Sequence, residues 1–253
     1  MTPVRLTVSG GVAVLSLNRP DRLNAINTAL RDAFLDALAR IDADPEVRCV
    51  ILRAEGRLFC AGQDLEERRP IVEGRPLDLG AALRGGINRM ILGLSGLRQP
   101  VVACLQGDAV GAGASLVLAC DLVHARAEAR LHFSFARLGL GPDSGASWLL
   151  PVRIGHARAA EVMFRAKPLA ATQACQWGLV NACHAPDVLE DAVADCAREI
   201  AELPREAVGA AKALLSAAPA TDLAGQLEKE AEAQSRLGKS TIYRERLAAF
   251  LSR

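Results

Sequence analysis

Between Val101 and Cys120 the chain runs for 20 residues with one charged side chain, Asp108. A stretch of that length could cross a bilayer, but Gln106-Gly107-Asp108 interrupts it and Gly107, Gly111 and Gly113 weaken it as a continuous helix, which argues against a membrane span. The pattern predicts a buried strand over Val101 to Leu105, announced by Pro100, then a glycine-rich turn and a helix over Ala112 to Cys120. Strand, tight turn and helix in that order form the unit of an α/β layer.

The rest of the first 190 residues repeats the theme. Val4, Leu6 and Val8 alternate with polar neighbours, Ser9-Gly10-Gly11 supplies a turn, and Val12 to Leu17 resumes, which predicts a hairpin. Asn27-Thr28 offers a cap for a helix whose apolar positions Leu30, Phe34, Leu38 and Ile41 recur at near-helical spacing, with Asp44-Pro45 as its end. Short apolar strands are expected at Cys49 to Leu52 and Leu122 to Ala125, and a helix over Leu79 to Leu97. Glu66 to Gly80, with Pro70, Gly74 and Pro76, reads as a loop. After Pro151 the character changes. Thr172 can cap a short helix closed by Gly178, and helices are expected over Leu189 to Ile200, Glu206 to Leu215, Leu223 to Arg236 and Thr241 to Leu251 in Ala- and Leu-rich sequence. The expected organisation is an α/β core over residues 1–190 and a helical carboxy-terminal region over 191–253.

Composition narrows the function. With 253 residues, 51% hydrophobic and 23% charged, the chain has ample apolar material for a core. Thirty basic and 29 acidic side chains leave a net charge of +1, so no global field attracts nucleic acid or an anionic membrane. Aromatics at 4% provide few stacking platforms for single strands. The seven cysteines are odd in number and never form C-x-x-C, which predicts reduced thiols in a cytoplasmic, cytosol-like compartment and neither a disulfide frame nor a zinc site. No signal peptide is legible at the amino terminus. The phosphate-loop, dinucleotide, nucleophile-elbow and zincin motifs are absent, and His124, His132, His156 and His184 lack ligand spacing.

Three loops could carry chemistry. Phe59-Cys60-Ala61-Gly62-Gln63-Asp64-Leu65 follows a strand, and its small residues allow close approach of backbone to a ligand. Gly107 to Gly113 leads into a helix whose first N–H groups suit an anion or a developing oxyanion. On glycine pattern alone, tight turns that pack helix on strand are the favoured reading of both loops, because such turns are common. In the third, Gly139-Leu140-Gly141-Pro142-Asp143-Ser144-Gly145, Asp143 could cap the following helix. If Ser144 caps instead, Asp143 is left free as a general base.

At these loops, and at Asn18-Arg19-Pro20-Asp21-Arg22-Leu23-Asn24-Ala25-Ile26, the sequence resembles the crotonase superfamily, the enoyl-CoA hydratase/isomerase family. Within it, Leu138 to Gly145 followed by Trp148-Leu149-Leu150-Pro151 most resembles the ring-1,2-epoxyphenylacetyl-CoA isomerases of aerobic phenylacetate breakdown. The resemblance implies an α/β fold with a spiral core of repeated ββα units, and a helical carboxy-terminal region that closes the site or builds a homotrimer or hexamer. It implies an acyl-CoA thioester substrate, no separate cofactor or metal, and isomerase chemistry through a thioester enolate. By the same resemblance the backbone N–H groups of Gln63 and Ala112 form an oxyanion hole and Asp143 is the acid/base. Arg22, Ala25, Ala61, Gln63, Asp64 and Leu65 are the expected coenzyme A contacts. Hydratases of the family use two glutamates, and the matching positions here are Ser115 and Arg137, neither of which is a carboxylate. Other chemistry on the same fold, including dehalogenation with Asp143 as nucleophile, and a non-catalytic acyl-CoA-binding role are the alternatives.

Overall fold

The computed structural model describes residues 2–252. The chain begins with the hairpin β1 (Val4–Ser9) and β2 (Val12–Leu17), followed by α1 (Thr28–Ala43), β3 (Cys49–Ala54), α2 (Arg69–Val72), α3 (Leu79–Gly85) and α4 (Ile87–Gly96). Then come β4 (Val101–Leu105), β5 (Ala109–Val110), α5 (Ala112–Leu118), β6 (Leu122–Arg126) and β7 (Arg130–His132). The second half holds α6 (Ala146–Ile154), α7 (His156–Arg165), β8 (Leu169–Ala170), α8 (Ala171–Gln176) and β9 (Ala182–His184), and closes with α9 (Leu189–Ala201), α10 (Arg205–Ala217), α11 (Leu223–Leu237) and α12 (Thr241–Leu251).

Six strands form one sheet in the order β1-β2-β3-β4-β6-β9, antiparallel only in the opening hairpin and parallel from β2 onward. Parallel strands need crossovers, and the helices between them supply these. The period of two divides the sheet between two cores: Ala13, Leu15, Val50, Leu52, Ala103 and Val123 join the large core, while Cys49, Ile51, Val102 and Cys104 meet Leu189, Val193 and Ala197 of α9 on the other face. The expected domain boundary near residue 190 thus falls at a helix that covers the sheet. A second, small sheet of β5, β7 and β8 lies beside the glycine-rich turn.

The strands expected at residues 4–17, 49–52, 101–105 and 122–125 are present, as is the α1 cap, where the Asn27 side chain accepts the Leu30 N–H at 2.9 Å. Three expectations need correction. Leu79 to Leu97 is broken at Gly86 (φ −114°, ψ −109°), where a Cβ would sit 2.6 Å from the Ala82 carbonyl oxygen. Thr172 lies inside α8, which Ala170 precedes without a side-chain cap. Glu66 to Gly80 is not featureless, because a 3₁₀ turn over Leu65–Arg68 and the short α2 occupy half of it. All seven cysteines are free, and among the described residues no helix is long and apolar enough to cross a membrane.

Candidate active site

The site is built on backbone. After β3 the chain turns and runs beside the loop that follows β4: Phe59 N–H donates to Asp108 O (3.0 Å), Val110 N–H donates to Cys60 O (2.8 Å), and Cys60 bridges Ala109 in parallel register. Gly113 lies against this strand so closely that a Cβ there would be 2.5 Å from Cys60 O. Gly62 has φ +88°, and its Cβ would meet Val110 O at 2.7 Å and Ala112 N at 3.6 Å. Both positions therefore require glycine, and together they bring the peptide ahead of Gln63 beside the start of α5.

That approach leaves two donors free. Gly62 O accepts from Ile26 N–H (2.7 Å) and Asp64 N–H donates to Ile26 O (3.0 Å), the alternation of a parallel bridge, in which the Gln63 N–H points away from Ile26. Ala112 is the first residue of α5, where no intrahelical acceptor exists. Among the described residues neither N–H finds an acceptor. The sequence placed the two residues 49 positions apart, in separate loops, and the fold brings these loops together.

The expected coenzyme contacts fall on two segments, 22–26 and 61–65, that main-chain hydrogen bonds tie together. Ala61 N–H donates to Leu23 O (3.0 Å), which ties the first loop to the Arg22–Ile26 segment. Asn24 is fully buried with φ +56°; its amide donates to Glu55 O (2.8 Å) and Leu58 O (3.0 Å), and its Oδ1 accepts the Arg19 N–H (2.8 Å). Arg22 and Leu65 are exposed, while Ala25 is half-buried. Asp64 is already engaged: one carboxylate oxygen meets the Arg19 guanidinium at 3.1 Å and the other caps Glu66 N–H at 3.2 Å. The Gln63 side chain is turned to Arg68, whose guanidinium donates to it.

Asp143 stands in a separate loop, immediately before α6, which packs against α5. Neither Asp143 nor Ser144 caps that helix. Gly145 is the N-cap (φ +77°), no side-chain cap bond is made, and Asp143 contributes to the helix start through its carbonyl, which accepts from Ala146 N–H at 3.0 Å. The Ser144 hydroxyl donates instead to Asp143 Oδ1 at 2.7 Å, and the half-buried carboxylate makes no hydrogen bond to the two glycine loops. Ser115 is fully buried within α5 with Oγ unpartnered among the described residues. Arg137 is exposed, and its Nε donates to Ala166 O at 2.9 Å.

Asp108 was not singled out in the sequence beyond its place in the loop, yet it braces the second loop. Its Oδ1 accepts the Arg130 N–H (2.9 Å), its Oδ2 lies 2.9 Å from His132 Nε2, and the His132 carbonyl accepts the Gly111 N–H (2.8 Å) next to Ala112. A lone charge in an otherwise apolar run was the available signal.

Residues 7–253 match the family described as enoyl-CoA hydratase/isomerase. The chain is 37% identical over 246 residues to the 1,2-epoxyphenylacetyl-CoA isomerase of Escherichia coli (strain K12), covering 97% of this chain and 94% of that protein. It is 38% identical over 251 residues to the "Probable enoyl-CoA hydratase" of Rhodobacter capsulatus, covering 99% and 95%. The crystal structure of an enoyl-CoA hydratase/isomerase from Cupriavidus metallidurans CH34 superposes with a TM-score of 0.93 at 30% identity, over 100% of this chain and 94% of that one.

Proposed function

The chain belongs to the enoyl-CoA hydratase/isomerase family, and on that premise we propose that it is an acyl-CoA isomerase, one that shifts a double bond or rearranges a ring epoxide through a thioester enolate. The observation that carries the reading is the pair of unpartnered N–H groups of Gln63 and Ala112, brought together by glycines at 62 and 113. Loss of a proton beside a thioester carbonyl moves negative charge onto its oxygen. Each preorganised donor aimed at such an oxygen is worth roughly 2.7 to 4 kcal/mol.

Asp143 is the proposed acid/base: the carboxylate takes the proton at C2 and returns it at C4, with no water consumed. Hydration is disfavoured because Ser115 and Arg137 carry no carboxylate, and Arg137 is turned to Ala166 O. The coenzyme A part of the substrate is assigned to the rim of Arg22, Ala25, Ala61, Gln63, Asp64 and Leu65. Asp64 contributes there by holding Arg19 and the turn at Glu66.

The proposed assembly is a homotrimer or hexamer. Neither α11 nor α12 buries a single residue in the isolated chain, and Tyr243, Leu247 and Phe250 are 50, 40 and 72% exposed. Their own core does not cover them, and exposed apolar positions of this kind support a second copy of the chain as the cover. Light scattering at micromolar concentration is expected to give three or six times 26.8 kDa; a monomeric mass contradicts the assembly.

Turnover of a small acyl-CoA panel tests the activity. The expected order is conversion of a 3-enoyl-CoA or a ring epoxide well above hydration of a 2-enoyl-CoA. Fast hydration of the 2-enoyl member with no isomerisation overturns the reading, and solvent oxygen-18 found in the Asp143 carboxylate after turnover points to a nucleophile.

A further inference from the structure

Ser144 combines two features that each cost folding free energy. Among the described residues it is one of four non-glycine residues with positive φ, at +55°, and it is 2% exposed. The left-handed region disfavours a residue with a Cβ, and a glycine, which fits it freely, stands at the next position with φ +77°. The hydroxyl does not cap α6, and among the described residues it bonds only to Asp143 Oδ1, at 2.7 Å. Asp143 Oδ2 has no partner among the described residues.

We propose that Ser144 is a positioning residue for the acid/base, an inference that rests on the reading of Asp143 given above. The Ser144 hydroxyl holds Oδ1 and fixes the carboxylate plane, so that Oδ2 alone exchanges protons with substrate. In the first step Oδ2 takes the C2 proton, the C–H electron pair becomes the C1–C2 π bond, and the carbonyl π pair moves to the thioester oxygen. In the second, that pair returns, C2=C3 forms, and the former C3=C4 π pair takes the proton from Oδ2 at C4. The hydroxyl donates to Oδ1 in both protonation states and need not move between them. The strained backbone is what places a serine side chain on the carboxylate from the adjacent position.

Ser144→Ala and Ser144→Gly separate this role from a structural one. Both remove the hydroxyl, but only glycine also relieves the cost of φ +55°. For a 3-enoyl-CoA, kcat is expected to fall about 10-fold in both, the rate equivalent of about 1.4 kcal/mol, with KM nearly unchanged. The glycine variant should nevertheless melt above the alanine variant. In an Asp143→Asn background, Ser144→Gly should cause no further fall in kcat. Activity that follows melting temperature, with Ser144→Gly at the parental kcat, overturns the proposal. If Asp143→Asn is inactive while both Ser144 variants keep full kcat, only the positioning role is lost. If Asp143→Asn isomerises at the parental rate, the reading of Asp143 itself has failed.

Discussion

The two halves of the candidate site are held in opposite ways. The cradle of residues 59–64 and 107–113 is laced by main-chain hydrogen bonds from Phe59, Val110, Ala61 and Asp64 and closed by glycines that meet carbonyl oxygens. The segment carrying Asp143 has three positive-φ residues in seven, exposed Leu140 and Pro142, and one side-chain bond, from Ser144. In the first, the proposed function is a property of backbone position, so side chains should be free to change while the glycines leave no room for a Cβ. In the second, the proposed function rests on one carboxylate, and its chemistry should matter more than the surrounding shape.

Gly62→Val attacks the cradle most directly. Its Cβ would press on Val110 O and its branched side chain is unsuited to φ +88°. Loss of the aligned donor should lower kcat/KM by about 100- to 1,000-fold. Steady-state kinetics with a circular-dichroism check of folding would show it. Full activity in a folded variant would contradict the backbone account.

Asp108→Ala should act less severely. It removes the acceptor of the Arg130 N–H and the partner of His132, so stability in urea should drop by about 1 to 2 kcal/mol. An unchanged unfolding midpoint would mean that the carboxylate does not brace the loop.

Gln63→Ala is the matched control for Gly62→Val. Only the N–H of Gln63 is assigned to substrate, and its side chain bonds Arg68. Activity should stay within about 3-fold of the parent, well below the loss of a donor. Equal losses in the two variants would refute the distinction between backbone and side chain.

The smallest response is expected at Cys60, inside the cradle. Burial pushes its thiol up to about 12, and its Sγ contacts Asn24 O at 3.1 Å. Iodoacetamide at pH 8 should leave it unmodified in the native protein, by peptide mass spectrometry, and label it after unfolding. Rapid native labelling would show that the cradle opens.

Much of the framework was legible because periodicity reports burial. The alternation in β1 and β2, the apolar runs of β3, β4 and β6, and the Asn27 cap are local signals, and the structure keeps them. The break at Gly86 was not legible, since apolar positions continue through it and what excludes a side chain there is the Ala82 carbonyl of the preceding turn. Strands β5 and β8, with two residues each, are too short to show a period, and exist through pairing with β7. The glycine pattern alone favours a packing turn over an anion site, and the structure has features of both: Gly113 packs on Cys60, while the Ala112 N–H has no acceptor among the described residues. The Ser144–Asp143 bond lay hidden because adjacent side chains seldom meet. It depends on a left-handed serine that sequence pattern does not announce.

In the proposed mechanism one carboxylate moves one proton within a preformed oxyanion site. Asp143→Asn tests it with little change of size, and no cap is at stake, because the Asp143 side chain caps no helix. A 3-enoyl-CoA should be followed in deuterium oxide with both proteins, scoring isomer ratio and label at C2 and C4. If Asp143 is the proton carrier, kcat falls by at least about 100-fold and label incorporation falls with it, while substrate affinity is nearly kept. Isomerisation by Asp143→Asn at an undiminished rate, with the parental label pattern, would contradict it.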